Sequence, residues 1–504
     1  MRYLLSASEM KKVDQNTVEK IGIPSLVLME RAALATFQAL QTEGKVKKGE
    51  HAFIIAGCGN NGGDGLALAR ILCEAGMSVE IKIVGNLEKA TDSWKKQKEI
   101  LANYPVSICN EPSLDTYTVI VDSLFGVGLS REVKGEFALA IDMANQLKGF
   151  KVALDLPSGI DSDRGQLMGV AFYADLTVTF GFEKRGLYLY PGANYAGKVL
   201  LADIGISERA FLGEKPEMFC LDGEIQELLP PRRKDGNKGT FGKALILAGT
   251  DRMAGAALLC TKSCYAIGAG MVRLLTHPDN RLLLQESIPE AMFGTMGEAE
   301  HFLDWCDVIC IGPGMGTDEG ARSAFYKVLT DSDKPIVVDA DGLNLLSVDR
   351  ELAELVKKQG QSGRSIILTP HLGELKKLYQ GIMMGNATNA VISMKEIKQT
   401  SWIWAQKLAK ELNAVVVSKD ARTCICTKDR EICLNLTGNS GMATAGSGDV
   451  LAGIVTGMLC QGLPAFEAAC RAVRIHGLAG DRASLEFGEY GMMAGDMIAM
   501  LRKA

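Results

Sequence analysis

The chain has 504 residues, too many for one ordinary hydrophobic core, and two domains of roughly 200–280 residues are the natural division. Its 47% hydrophobic and 23% charged content is that of a globular protein. A net charge of −5 leaves no electrostatic footprint for nucleic acid or an anionic membrane, so neither is expected as a partner.

The opening MRYLLSASEMKK places Glu9, Lys11 and Lys12 too early for a signal-peptide core. Met10, Val13, Thr17, Val18 and Ile21 follow helical spacing after Ser8, which reads as the cap. A second apolar helix runs from about Ser25 to Leu40 and offers a subunit contact, hence a homo-oligomer. Short apolar runs then alternate with amphipathic stretches: His51–Ala56, Val79–Val84, Val119–Val121, Lys151–Leu154 and Leu176–Phe180. Such alternation predicts an α/β fold with a mostly parallel sheet covered on both faces. It loosens between about Ile204 and Lys243, where Pro216, Pro230–Pro231 and the charged run Arg232–Asp235 lie, and the domain boundary is placed near residue 225. A second series follows: Ala244–Ala248, Val272–Thr276, Val308–Ile311, Ile336–Asp339, Ile366–Thr369 and Ala414–Ser418. The longest apolar run, Val450–Cys460, is too short for a membrane span and is interrupted by Gly453 and Gly457. The thirteen cysteines are scattered, with Cys260/Cys264, Cys306/Cys310 and Cys424/Cys426 the closest pairs; none forms a paired CxxC zinc signature, and they read as reduced thiols of a cytoplasmic protein.

Residues 57–65 read GCGNNGGDG between a strand and a helix, so Gly57, Gly59 and Gly62 satisfy GxGxxG. Such a turn aims backbone N–H groups at a phosphate. A plain dinucleotide dehydrogenase also needs an acid closing the next strand, and Glu80, the only neighbour, falls inside the strand run. Asn60, Asn61 and Asp64 add oxygens suited to a hard cation or ribose hydroxyls, beside the plainer reading of an asparagine-rich turn. Asp122 and Asp155 close two further strand runs. They lead into SLFGVGLSR and LPSGID, so three polar strand ends converge on one crevice.

These segments, GCGNNGGDG, VDSLFGVGLSR and LDLPSGID, resemble NAD(P)H-hydrate epimerase, the YjeF N-terminal domain, over residues 1–224; KRGLYLYPG (184–192) and Asp203–Ile206 extend the likeness. The resemblance implies a Rossmann-like three-layer α/β/α domain. It implies hydrate binding by Asn60, Asn61, Gly62, Gly63, Asp64, Gly126, Val127, Gly128, Leu129, Ser130, Arg131, Glu132 and Asp155. It further implies a K⁺ ion on Asn61, Asp122 and Ser158. Asp155 is the acid–base candidate, because inverting a hydroxyl-bearing carbon beside a ring nitrogen needs proton transfer, whether by ring opening or by loss of water.

In the second series, TGNSGMATAGSGDVLAG (437–453) puts the loop Gly446-Ser-Gly-Asp449 before an apolar helix. Its backbone donors suit phosphate charge and Asp449 suits a base, although a capped helix after a glycine turn has the same local form. GPGMG (312–316), VDADGLN (338–344), TPHLGE (369–374) and KDART (419–423) follow four strand runs. Together these motifs resemble the ribokinase-like fold, and within it ADP/ATP-dependent NAD(P)H-hydrate dehydratase, over residues 225–504. The resemblance implies hydrate contacts by Ala254, Gly314, Gly316, His371 and Asp449. It implies adenine-nucleotide contacts by Lys419, Asp420, Ala421, Arg422, Thr423 and Gly448, with Mg²⁺ and ADP or ATP as co-substrate. Two positions depart from the pattern: Asn237 stands where a His often precedes Lys-Gly, and Asp420 where glycine is usual. A lone His after a strand is usually structural, but its Pro-His-Leu-Gly-Glu setting favours a site role for His371; His51, His277, His301 and His476 keep the structural reading.

The parts suggest a chemistry. Hydroxide leaves a hydrated ring poorly, whereas a phosphorylated hydroxyl leaves well, so Asp449 would deprotonate the hydroxyl for phosphoryl transfer and phosphate would then depart. The expected partners are NAD(P)H hydrates and adenine nucleotide, and the fused layout, like bacterial bifunctional enzymes, favours ADP. Two other functions fit parts of the pattern: a hydroxymethylpyrimidine- or sugar-type kinase with an accessory domain, and a binding protein whose first domain senses nucleotide.

Overall fold

The computed structural model describes residues 1–384, 392–429 and 431–503. The chain divides into two compact units, Arg2–Met218 and Phe219–Ala504 together with Met1. The Pro230–Pro231 and Arg232–Asp235 stretch lies inside the second unit. The reason is local. Arg471, Arg474 and Arg482 on the helix Ala465–Phe487 hold Leu228 O (2.8 Å), Gly223 O (3.0 Å) and the Glu224 carboxylate (2.9 Å).

In the first unit the strand Arg2–Leu5 precedes the helix Ala7–Asn16. The cap is Ser6 rather than Ser8: Ser6 Oγ accepts from Glu9 N at 3.3 Å, and Glu9 Oε2 accepts from Ser6 N at 2.7 Å. A parallel sheet runs in the order Ser107–Ile108, Ser78–Ile83, His51–Ala56, Thr116–Ser123, Lys148–Leu154, Leu176–Phe180, Lys198–Ala202. Its central strands are buried nearly end to end, as expected of strands covered by helices on both faces. The chain winds outward from His51–Ala56 in one direction and resumes on its other side with Thr116–Ser123. These neighbours stay paired to their carboxyl ends, Ala56 opposite Ser123, and the connections that follow them leave in opposite directions, which opens the crevice of a doubly wound sheet.

The second unit repeats the device. Its parallel strands run in the order Met292–Thr295, Met271–Thr276, Lys243–Leu247, Val308–Ile311, Ile336–Val338, Ile366–Leu368, Val415–Ser418. The antiparallel pair Cys424–Cys426 and Ile432–Leu434 extends the last of these. Here the switch point lies between Lys243–Leu247 and Val308–Ile311. Val450–Cys460 is not a surface segment: the helix Ser447–Cys460 buries every residue from Val450 onward against Ala257, Cys260 and Cys264 of the helix Ala254–Ala266. Among the described residues no helix is long and apolar enough to cross a membrane. All thirteen cysteines are free.

Candidate active sites

In the first unit the loops after the two switch-point strands line a crevice of about 1370 Å³. Gly57–Asn61 and Asp64 form one wall, Leu124–Arg131 another, with Asp155 at a strand end beside Phe180 and Lys184. Gly62 is obligatory: a Cβ there would stand 1.9 Å from Gly57 O, so no side chain fits inside the turn. Glu80, the acid a dehydrogenase would have used, is held away at Ser113 and Tyr117 and does not line the crevice.

Asp155 adopts φ 68, uncommon for a side-chain-bearing residue and of the kind concentrated at functional sites. Its Oδ1 accepts from Lys184 Nζ, and Lys184, only 1% exposed, spends its other donors on Thr179 Oγ1 (3.0 Å) and Phe180 O (2.9 Å). Asp64 and Asp14 line the same crevice. Burial and the neighbouring carboxylates push Asp64 well above the usual range, while burial, partly offset by Lys184, pushes Asp14 up to about 6. Neither Lys184 nor Asp14 was named as a site residue: Lys184 opens the KRGLYLYPG segment without a role assigned to it, and Asp14 belongs to no glycine loop or strand-end motif.

Beneath the crevice floor, Asp122 is fully buried; Oδ2 accepts from Ser158 N (2.7 Å) and Oδ1 from Ser158 Oγ (2.7 Å) and Leu124 N (3.1 Å). Burial pushes its carboxyl up to about 6 against those hydrogen bonds. Asn61 keeps both amide atoms buried without a hydrogen-bond partner among the described residues. Gly126 bridges the two levels: a Cβ there would lie 3.1 Å from Asp155 Oδ2 and 3.6 Å from Asn61 Cβ. Val127, Gly128, Leu129, Ser130 and Arg131 line the crevice with Asn60. Gly62 and Gly63 lie buried behind it, and Glu132 turns outward to Lys134 at 2.7 Å.

In the second unit the switch-point loops touch: Thr250 N donates to Gly314 O (2.7 Å) and Gly249 N to Pro313 O (2.9 Å), which brings Gly314 against Met253 and Ala256 and Gly316 against Thr250, at the start of the helix that Ala254 opens. Gly316 N donates to Asp341 Oδ2 at 3.0 Å. Two strands further along, Asp339 is 1% exposed, and its Oδ1 accepts from Lys419 Nζ and Thr369 Oγ1, both at 2.7 Å. Burial alone would lower Lys419, but Asp339 and Glu374 outweigh it and hold the ammonium above its ordinary value. Asp449, on the first turn of the helix Ser447–Cys460, is half-buried, and burial with the nearby Asp339 raises it to about 6 despite Lys419. Gly446, at φ 89, caps that helix without a side chain; Ser447 N donates to Thr444 O (3.4 Å), and no side chain caps the N–H groups of Gly448 and Asp449, which suit an anion. Lys419 sits at that opening, where a Cβ on Gly448 would come 3.3 Å from its Nζ.

His371 does structural work in this arrangement. Its Nδ1 accepts from Gly373 N (3.0 Å) and Glu374 N (3.4 Å), so it caps the helix Leu372–Leu378, while its ring stays 60% exposed. Burial and Lys419 both lower its pKa. Lys419 N donates to Pro370 O at 2.8 Å and so joins the His371 and Lys419 loops. In the turn that follows, Asp420 and Ala421 are exposed and Thr423 Oγ1 donates to Asp420 O (3.1 Å). Asp420 keeps a negative φ, so an aspartate stands there without strain where glycine is usual. Asp339 was passed over in the motif VDADGLN, where only its strand-end position hinted at a role.

Residues 25–186 match the family model for the YjeF-related protein N-terminus, and residues 244–503 match that for NAD(P)H-hydrate dehydratase. The bifunctional NAD(P)H-hydrate repair enzyme Nnr of Thermofilum pendens is 35% identical, across 99% of this chain and 95% of its own. The enzyme of the same name from Coxiella burnetii is 34% identical, across 100% and 99%. The chain belongs to the bifunctional NAD(P)H-hydrate repair enzyme family. Both units of this family member thus carry their own site at their own switch point. A crystal structure of the ADP/ATP-dependent NAD(P)H-hydrate dehydratase from Bacillus subtilis, co-crystallised with ATP/Mg²⁺, is similar to 55% of this chain and 94% of its own, at 29% identity and TM-score 0.48.

Proposed function

We propose that this protein repairs hydrated NADH and NADPH: residues 1–224 interconvert the R and S hydrates, and residues 225–504 dehydrate the S form at the expense of ADP or ATP. The observation that carries the reading is the pair of separate switch-point sites, one with Asp155 on the buried Lys184, the other with Asp449 near the half-buried Lys419. In the first, the glycine loop and Leu124–Arg131 take the dinucleotide and Asp155 transfers the proton. In the second, Ala254, Gly314 and Gly316 orient the hydrate, and Lys419 with the N–H groups of Gly448 and Asp449 receives nucleotide phosphate. Asp449 then removes the hydroxyl proton so that oxygen takes the phosphoryl group from ADP or ATP, with AMP or ADP leaving; the ring-nitrogen lone pair expels phosphate to form a C=N iminium bond, and loss of a proton from the adjacent ring carbon to solvent restores the dihydropyridine. Mg²⁺ bound with the nucleotide phosphates would neutralise phosphoryl charge.

Asn61, Asp122 and Ser158 fit a monovalent cation. They present amide and hydroxyl oxygens with a single buried carboxylate, and the Asn61 amide lacks any hydrogen-bond partner among the described residues. K⁺ bound there would supply the positive charge that Asp122 lacks and tie the Asn61 turn to the Ser158 loop. The free thiols support a reducing, cytoplasmic setting, and the exposed Leu26, Val27 and Leu34 on the helix Ser25–Thr42 support a homo-oligomer.

The test is chromatography of both epimers of chemically hydrated NADH with the full chain, with and without ADP. The protein should equilibrate the epimers without nucleotide and consume the hydrate only with it. ADP should also stabilise the second unit by about 2.7 kcal/mol at a hundredfold excess over Kd, and more than GDP does. Hydrate left untouched, together with phosphorylation of a hydroxymethylpyrimidine or a sugar, would install the kinase reading instead.

A further inference from the structure

We propose that Asp14 is a second catalytic residue of the first unit, working with Asp155 from another wall of the crevice; this rests on the epimerase reading above. Asp155 enters from the sheet, at the end of Lys148–Leu154, and Asp14 enters from the helix Ala7–Asn16. The Asp14 carboxyl is half-buried in the crevice lining and has no hydrogen-bond or ion-pair partner among the described residues. Lys184, the nearest cation by its effect, is already saturated by Asp155, Thr179 and Phe180. A partly desolvated carboxyl left unpaired costs stability, and such arrangements persist where a proton must be held and released.

The helix is also fixed where a purely structural acid would need no fixing. Glu9, of the same helix, pairs with Arg185 at 2.8 Å, immediately after Lys184. The strand Arg2–Leu5 runs parallel to Glu183–Lys184, with Leu5 opposite Lys184, and Ala7 N donates to Asp163 Oδ1 at 2.6 Å. Asp14 is therefore held in register with the lysine that orients Asp155. Besides Asp155 and Lys184, the charged groups lining the crevice are Asp64, Lys11, Glu19, Lys89, Arg131, Glu136, Asp161 and Asp163.

Inversion at a carbon bearing a hydroxyl and a ring nitrogen needs a group on each face. Asp14 in its acid form gives its proton to the hydroxyl as the C–O bond breaks; the bonding pair leaves with water, and the nitrogen lone pair forms a C=N iminium bond. Solvent water then attacks the opposite face and returns that pair to nitrogen, while the Asp155 carboxylate takes the proton from the water. The reverse reaction exchanges the two roles, and no redox partner is required.

The test uses the full chain with separated R and S hydrates of NADH and no adenine nucleotide. Asp14→Asn should lower the epimerisation kcat by roughly 10²–10⁴-fold, the usual worth of a general acid, with KM within a few-fold. The wild-type rate should fall as pH rises above about 6, and that limb should vanish in the variant. Asp14→Glu should recover part of the rate. ADP-dependent consumption of S hydrate by the same preparation of Asp14→Asn should match wild type, and an unchanged thermal melting transition of the first unit should show that this unit is folded. An Asp14→Asn rate within threefold of wild type, a change in KM alone, or persistence of the limb would overturn the role of Asp14. An inert wild type would instead remove the epimerase reading and this role with it.

Discussion

Asp449 shows how much a single side chain carries. Raised to about 6 by burial beside Asp339, it is ionised at neutral pH but close enough to its pKa to accept a proton readily. As a base it must be deprotonated, so dehydration should rise as pH climbs through about 6 and level off above, in kcat/KM measured with ADP saturating. Asp449→Asn keeps the size and removes the base; the rate should drop by roughly 10²–10⁴-fold while ADP still shifts the melting transition, because the backbone donors remain. Wild-type dehydration in that variant would strip Asp449 of its role. Asp339 makes a different kind of contribution. It is the buried counter-charge of Lys419, and Asp339→Ala leaves the ammonium without its hydrogen-bonded carboxylate, with only the charges of Glu374 and Asp449 nearby. Removing one partner of such a pair costs about 3 kcal/mol, the lower end of the usual range because Lys419 keeps 19% of its side-chain exposure. A melting transition of the second unit unmoved by Asp339→Ala would contradict this.

At the scale of elements, close approach of helices decides more than propensity does. The helix Ser447–Cys460 carries Gly453 and Gly457, poor helix formers, in its buried stretch. A Cβ on Gly453 would lie 2.0 Å from Ser263 Oγ and 2.1 Å from Cys260 O of the helix Ala254–Ala266, so the glycine lets the two helices meet backbone to side chain. Gly453→Ala therefore destabilises through overpacking, by about 1–3 kcal/mol, despite the gain in helix propensity. It should also weaken ADP binding, since the same helix presents Gly448 and Asp449 at its first turn. Thermal melting with and without ADP tests both expectations. A more stable variant would mean that the helices can separate at no cost. In the first unit, Asn61 lies on the first turn of the helix Asn60–Glu74, Asp122 lies at the end of the strand Thr116–Ser123, and Ser158 follows the strand Lys148–Leu154. Replacing K⁺ by a large organic cation should lower epimerisation, and Asp122→Ala should remove the dependence on K⁺. Full activity in Asp122→Ala, with ion binding unchanged in a K⁺ titration, would end the cation assignment.

Over the whole molecule, Asp155 and Asp449 belong to separate compact units, each with its own core and its own sheet switch point. Mutational effects should therefore be independent. Asp155→Asn should leave ADP-dependent consumption of the S hydrate intact while the R hydrate accumulates, and Asp449→Asn should do the reverse. A time course of both epimers, with and without ADP, reads all four combinations. Loss of both activities in one folded variant would call for a shared site.

The strand–helix alternation, the glycine loops and the polar strand ends were legible in the sequence because each is a local signal. A buried parallel strand is a short apolar run, the turn after it needs glycine for close approach, and the acid that closes it is the next residue or two along. Asp122, Asp155 and the Gly446–Asp449 loop were readable for that reason, and so was the family. Elements too short to show a period escaped: Arg2–Leu5, Met292–Thr295, and the pair Cys424–Cys426 and Ile432–Leu434. The first cap fell on Ser6 because that strand ends at Leu5. Only the tertiary structure brought Lys184 to Asp155, Asp14 into the same crevice and Lys419 to Asp339. Burial and charge decide those partnerships, and both depend on strand order and on which helix covers which strand end. Neither quantity exists along the chain until the sheets have closed.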